Sequence, residues 1–231
     1  KKTVLKSCEE YMRKLISKIN EIRRQKIAVF KTLQYTRIWP SDNGWFIAAK
    51  KTYIDAGKND LKRYGEVHIG YPKGIFGYLA IPGIASTLIK IDGNGSLHLH
   101  DGVYIYAGAR IIIASTGKVQ IGSNTSIAAN TYILSRNEIC IGSDCEISWE
   151  CQIMDTDFHE VIGNRNKVTE NSSVIIGNHV LVCSKVTILK GVVIGDNAVI
   201  AAGSVVTKDV PAGCIAAGSP ARVVRKNINW K

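Results

Sequence analysis

Large aliphatic residues recur at every sixth position over much of this chain, and few folds tolerate such a period. Counting from Ile121 gives Ile121, Ile127 and Ile133, and a two-residue slip resets the count to Ile141, Ile147 and Ile153. After a longer interruption the count resumes at Ile176, Val182, Ile188, Ile194, Ile200 and Val206. A period of six is out of phase with the 3.6-residue turn of an α-helix. It suits a chain whose short strands each deliver one large side chain inward before turning. The pattern therefore predicts a parallel β-helix. Four residues after each aliphatic position, small or β-branched groups dominate (Thr125, Thr131, Cys145, Cys151, Val180, Val186, Val192, Ala198, Ser204, Val210), with Asn137 and Asp157 as exceptions. Glycine follows directly at Gly122, Gly142, Gly177 and Gly195, and a weaker version of the repeat runs upstream through Leu97 and Val103.

The interruption between Ile153 and Ile176 opens with the hexapeptide DTDFHE, residues 155 to 160. A loop thrown out of a rigid solenoid costs little stability, and such loops commonly carry function. In an extended chain Asp155, Asp157 and His159, at i, i+2 and i+4, point the same way. A carboxylate beside an imidazole can fix its tautomer and stabilise its protonated form. The residues alone leave a second reading open, in which Asp-Thr-Asp makes a turn and His159 is an exposed loop residue.

The chain divides by charge. Residues 1 to 63 hold 16 Lys and Arg against 6 Asp and Glu, whereas residues 64 to 231 hold 14 against 13. Within this basic arm Leu5, Cys8, Met12, Leu15, Ile19 and Ile22 follow a 3,4 spacing, which predicts a helix over about residues 4 to 29 with one apolar seam. The seam can bury against the domain body, a neighbouring subunit or an anionic lipid surface. Residues 30 to 64, broken by Pro40, Gly44 and Gly57, carry no clear pattern. No nucleic-acid motif accompanies the charge, and the aromatic residues are not interleaved with the basic ones, so no nucleic-acid partner is expected.

No apolar run reaches the length of a membrane span, and no signal-peptide pattern is visible. The six cysteines show neither CxxC spacing nor a secreted disulfide pattern. Reduced structural cysteines in a cytoplasmic protein are the economical reading. His98 and His100 sit in a strand pattern and His179 at a turn.

The phrases IGSNTSI, IGSDCEI, IIGNHVLV, ILKGVVIGDNAVIAAGSVVTKDVP and AAGSPARVVR resemble the hexapeptide-repeat acyltransferases, and most closely those that O-acetylate sugars in capsule or lipopolysaccharide assembly. The resemblance covers roughly residues 65 to 226. It implies an all-β fold, a left-handed parallel β-helix with an N-terminal α-helical arm, assembled as a homotrimer with active sites between subunits. The expected divisions are the basic arm (1 to 63), the β-helix (64 to 206) with a catalytic loop at about 155 to 173, and a coenzyme A-binding segment and tail (207 to 231).

The resemblance also implies an acetyl-CoA-dependent O-acetyltransferase with His159 as general base, needing no metal and no acyl-enzyme. Asp157 is the preferred support for the imidazole, with Asp155 or Glu160 as alternatives. Trp149 could stack on a sugar ring or pack against the next subunit. Ser184, Ala202, Gly203, Ser204, Thr207 and Lys208 match the family's pantetheine groove, and Lys208, Arg222 and Arg225 would meet phosphates, where a guanidinium binds two oxygens at once. The acceptor that the resemblance implies is a sugar hydroxyl of a polysaccharide or glycolipid precursor, and the charge of the basic arm suggests one held at the inner face of an anionic membrane.

The sequence departs from the family where many members read VWIG and this chain reads VLVC, at Leu181 and Cys183. That puts the acceptor pocket and the acyl preference in doubt, not the reaction class. The competing readings are an N-acetyltransferase of amino sugars, a noncatalytic β-helix scaffold and the β-helical carbonic anhydrase type. The last requires three zinc-ligating histidines, and the repeats offer His179 without a downstream partner.

Overall fold

A computed structural model describes residues 29–41, 44–49, 51–71, 86–159 and 173–231. The strands form three parallel faces, each strand pairing with its counterpart in the coils before and after it. On the first face Ile127, Ile147, Val182 and Ile200 lie in register; on the second Ile133, Ile153, Ile188 and Val206; on the third Ile121, Ile141, Ile176 and Ile194. All twelve are at most 2% exposed. Each sixth residue thus feeds one of three ladders of Ile and Val, and burial of such side chains is worth about 1.5 to 3 kcal/mol each.

The small residues four positions on sit at the corners and tie the coils together. Thr125 Oγ1 donates to the carbonyl of Gly142 (2.7 Å) and accepts from the N–H of Cys145 (3.1 Å), and Thr131 does the same with Ser148 and Cys151. One coil on, the thiols of Cys145 and Cys151 donate to the carbonyls of Gly177 and Cys183, each at 3.1 Å. Glycine after the aliphatic residue answers a different need. A Cβ on Gly142 would lie 2.4 Å from the carbonyl oxygen of Gly177, and one on Gly122 2.5 Å from the backbone of Gly142.

Regular coils begin at Phe46–Ala48, which pairs with Val67–Tyr71, and at Thr52–Asp55 and Leu61–Tyr64, which pair with Thr87–Ile91 and Ser96–His100. Much of the segment assigned to the arm is therefore the first coil, ahead of the expected boundary at residue 64. Its short strands hold few aliphatic residues, which hid the period. A helix, Val29–Ile38, lies against it, where the sequence predicts a helix ending near residue 29; the predicted seam from Leu5 to Ile22 lies outside the described residues. Tyr35, Trp39 and Phe46 pack ring to ring at 5.5 to 5.8 Å. Thr32 and Thr36 hydroxyls accept from the N–H groups of Ala48 and Phe46, both at 3.0 Å, so the helix closes an edge that would otherwise be free to pair.

Arg63, only 4% exposed, fastens this cap by donating to the carbonyls of Trp39 (2.7 Å), Gly44 (3.2 Å) and Gly65 (2.5 Å). Burial lowers its pKa, but a guanidinium stays protonated. At the other end Ile215–Gly218 and Ala221–Arg225 make an antiparallel hairpin. Trp230 stacks on His179 at 4.2 Å and donates to its carbonyl at 2.8 Å.

Candidate active site

Residues 155–159, the described start of the expected loop, follow the strand Gln152–Met154 on the second face, and the described chain resumes ahead of Val174–Ile176 on the third. Asp155, at the start of the loop, is fully buried. Its carboxylate accepts from the Ser135 hydroxyl (2.6 Å) and from the N–H groups of Arg136 (2.8 Å) and Asn137 (3.0 Å), while the Asn137 amide donates to the Asp155 carbonyl (3.2 Å). Residues 135–137 carry the two-residue slip between Ile133 and Ile141. Asp155 satisfies the N–H groups that the slip leaves without a ladder partner, and it anchors the base of the loop. This corrects the expectation that Asp155 supports the histidine, because its oxygens are already committed.

Beyond Asp155 the chain turns. The N–H of Phe158 donates to Thr156 Oγ1 (3.0 Å), and Phe158 adopts a φ of 58°. The extended arrangement expected of Asp155, Asp157 and His159 is thereby broken: the first faces inward, whereas the other two are exposed. The Asp157 carboxylate pairs with Lys190 at 2.6 Å, from the corner one coil on. The carbonyl oxygen of Asp157 lies 3.3 Å from His159 Nδ1. A carbonyl only accepts, so Nδ1 is the donor and the lone pair of the neutral ring resides on Nε2. Glu160 lies outside the described residues.

The residues matched to the donor groove, and with them the acceptor candidate Trp149, divide between two edges. Trp149, Ser184, Ala202 and Gly203 occupy corners between the first and second faces, stacked so that the N–H of Lys185 donates to the Trp149 carbonyl (3.0 Å) and that of Gly203 to the Ser184 carbonyl (2.9 Å). Ala202 and Gly203 are exposed. Gly203 has a φ of 70°, with no atom within 4 Å of where its Cβ would be. Ser204 departs from the expectation that it lines the groove. It is fully buried, and its hydroxyl accepts from the N–H of Gly218 at 3.1 Å.

Thr207 and Lys208 share the edge of His159 and Lys190, between the second and third faces. Arg222 and Arg225 are exposed on the terminal hairpin, Arg222 donating to the carbonyl of Ala221 at 2.7 Å. Within one chain the second face thus separates His159 from Trp149, Ser184 and Gly203. Leu181 and Cys183 are part-buried, and burial pushes the Cys183 thiol pKa up.

A family described as bacterial transferase hexapeptide (six repeats) matches residues 173–208. The crystal structure of the polysialic acid O-acetyltransferase OatWY shares 30% identity over 83% of this chain and 90% of its own, with a TM-score of 0.59. The chain belongs to the hexapeptide-repeat transferase family.

The relation makes the coils those of a left-handed β-helix. A polysialic acid O-acetyltransferase of Escherichia coli O1:K1 is 38% identical over 123 residues, which are 52% of this chain and 40% of that protein. An uncharacterised 24.8 kDa protein in the cps region of Klebsiella pneumoniae is 34% identical over 146 residues, 63% of this chain and 65% of that protein. The chain thus spans less than two thirds of the length of the curated relatives it matches. The sequence reading missed Lys190 as the partner of Asp157. Stacking alone does not reveal it, because Lys190, two residues after Ile188, is in step with Asp155, two residues after Ile153, rather than with Asp157.

Proposed function

We propose that this chain is a coenzyme A-dependent O-acetyltransferase acting on a sugar hydroxyl of a polysaccharide, with His159 as general base. The observation that carries the reading is the His159 ring itself, exposed at the start of a loop and held through Nδ1 by the Asp157 carbonyl, so that Nε2 is free to accept a proton. The kinship with polysialic acid O-acetyltransferases supports the acceptor class.

Coenzyme A fits the residues present. The shelf of Ala202 and Gly203 leaves open space beside the backbone, as a thin pantetheine arm requires, and the exposed Lys208, Arg222 and Arg225 are suited to its phosphates. Bound as an acetyl thioester, it supplies an activated carbonyl. His159 Nε2 takes the hydroxyl proton as the sugar oxygen bonds to that carbon, and gives the same proton to the departing sulfur as the carbon–sulfur bond breaks. One imidazole serves both halves, and the Asp157 carbonyl holds its orientation throughout. The thiols of Cys145, Cys151 and Cys183, their pKa values raised by burial, are poor nucleophiles.

Because the donor shelf and His159 lie on different edges, a complete site needs a neighbouring copy, in keeping with a trimer. Exposed Ile175 and Val193, in register on the third face, provide apolar surface for it. Incubation with acetyl-CoA and polysialic acid, read by release of free thiol, tests the proposal. Turnover that falls by about 100-fold or more in His159→Ala, with donor binding retained, is expected. Undiminished turnover in that variant would sink the assignment of the base, and no binding of acetyl-CoA by the intact protein would sink the donor.

A further inference from the structure

A groove of about 510 Å³ lies at the first coil, away from the residues assigned above. It is lined by Trp39 and Pro40 at the end of the helix and by Lys58, Asn59, Lys62 and Tyr64 of the first coil, with Arg63 at its back. Two lysines line it in front of the buried Arg63, and among the described residues no carboxylate does. Lys58 and Lys62 make no ion pair with any described residue, and Asp60, the nearest acid in sequence, turns its carboxylate onto the N–H of Gly57 at 2.6 Å. Tyr64, 51% exposed, rests against the His100 ring at 4.9 Å and offers a flat aromatic surface at the rim. Cations beside an open aromatic face suit a sugar that bears a carboxylate, with the ring covering its apolar side.

The position of the groove gives it a role. Lys58 and Asn59 stand at the corner between the second and third faces, the edge from which His159 projects. Turns at residues 92–95, 114–117 and 136–137 fill that edge between them, tied by backbone bonds such as Asn94 N–H to Ser115 O (2.7 Å) and Ala114 N–H to Ser135 O (2.9 Å). The groove is four coils from His159, which at the spacing of parallel strands is about 19 Å. Along the way Asp92 is matched by Lys90 at 3.4 Å and Asp157 by Lys190, and Glu138, beside the turn at 136–137, stands in register with Lys118 on the neighbouring strand. An acidic chain running along this edge therefore passes a cation beside each of these acids before it reaches the reactive histidine.

We propose that the first-coil groove is a distal subsite for an acidic polysaccharide, gripping the acceptor several sugars away from the one acetylated at His159. This rests on the function proposed above. It narrows the acceptor to a carboxylate-bearing polymer and predicts a preference for long chains, because a second contact raises the effective concentration of the first.

The test is binding to the full chain in low salt, using long polysialic acid, a sialic acid trimer and neutral dextran. The intact protein should hold the long polymer about 10-fold or more tighter than the trimer, and dextran no better than the trimer. Lys58→Glu with Lys62→Glu should abolish that advantage, and the milder Lys58→Gln with Lys62→Gln should reduce it, with circular dichroism confirming the fold. Equal affinity for polymer and trimer, equal affinity for dextran, or an advantage that survives charge reversal would each overturn the subsite. The outcome is separate from that for the activity: tight polymer binding without acetyl transfer would discard the enzyme reading and keep the groove.

Discussion

The imidazole of His159 hydrogen-bonds through Nδ1 to the backbone carbonyl of Asp157, at 3.3 Å, while the Asp157 carboxylate reaches the other way to Lys190. Support for the base thus comes from a main-chain atom that no substitution of the Asp157 side chain removes. Asp157→Asn should therefore lower kcat only a few-fold, through a looser loop, whereas His159→Ala should lower it by about 100-fold or more. Steady-state kinetics on both variants decide it. A loss in Asp157→Asn as large as that in His159→Ala would mean that the carboxylate swings onto the ring when substrate binds.

Asp155 should behave in the opposite way. Its carboxylate is buried and takes three donors from residues 135–137. Asp155→Ala leaves those donors facing an apolar corner, at a cost of about 1 to 3 kcal/mol for each one left unpaired. The variant should lose several degrees in Tm, and any loss of turnover should track the fraction unfolded. A stable variant with a specific kcat defect would return Asp155 to the chemistry.

The coils were legible because burial imposes the same demand at every sixth residue, and a two-residue slip at 135–137 moves the phase without removing the pattern. The first coil was hidden because its inward positions are held by Phe46, Ala48, Thr52 and Arg63 rather than by Ile and Val. The direction of Asp155 was lost for a related reason. A period-two argument holds only while the chain stays extended, and the strand ends at Met154 with a bend at Asp155 itself. Backbone contacts such as the Asp157 carbonyl leave no mark in side-chain identity.

Two glycines should fail differently when given a methyl group. At Gly142 the new Cβ meets backbone of the next coil at 2.4 to 2.8 Å, and the strand spacing cannot widen at one corner alone. Gly142→Ala should be strongly destabilising, by about 3 kcal/mol or more. At Gly203 there is open space, but φ is 70°, so Gly203→Ala should cost only about 1 to 2 kcal/mol. On the proposed donor shelf the added methyl should still weaken coenzyme A binding. Urea unfolding beside calorimetric titration separates the two effects, and equal destabilisation would contradict the packing described at the corners.

Cys151 gives a prediction in pH. Its thiol is fully buried and donates to the Cys183 carbonyl, and burial raises its pKa from the ordinary 9.0 to about 11. The folded state therefore holds this proton more tightly than the unfolded chain does. Its contribution to stability is present in full below pH 9 and is lost as pH rises from 9 towards 11, because only the unfolded chain ionises readily there. By pH 11 the loss should approach about 2 kcal/mol. Other groups titrate in the same range, so the measurement is a difference: unfolding free energy at pH 8 and pH 11 for the native chain and for Cys151→Ala. The variant should start less stable and fall less steeply. Parallel slopes would mean that the Cys151 thiolate is tolerated in the fold, and that the corner beneath Cys183 admits water.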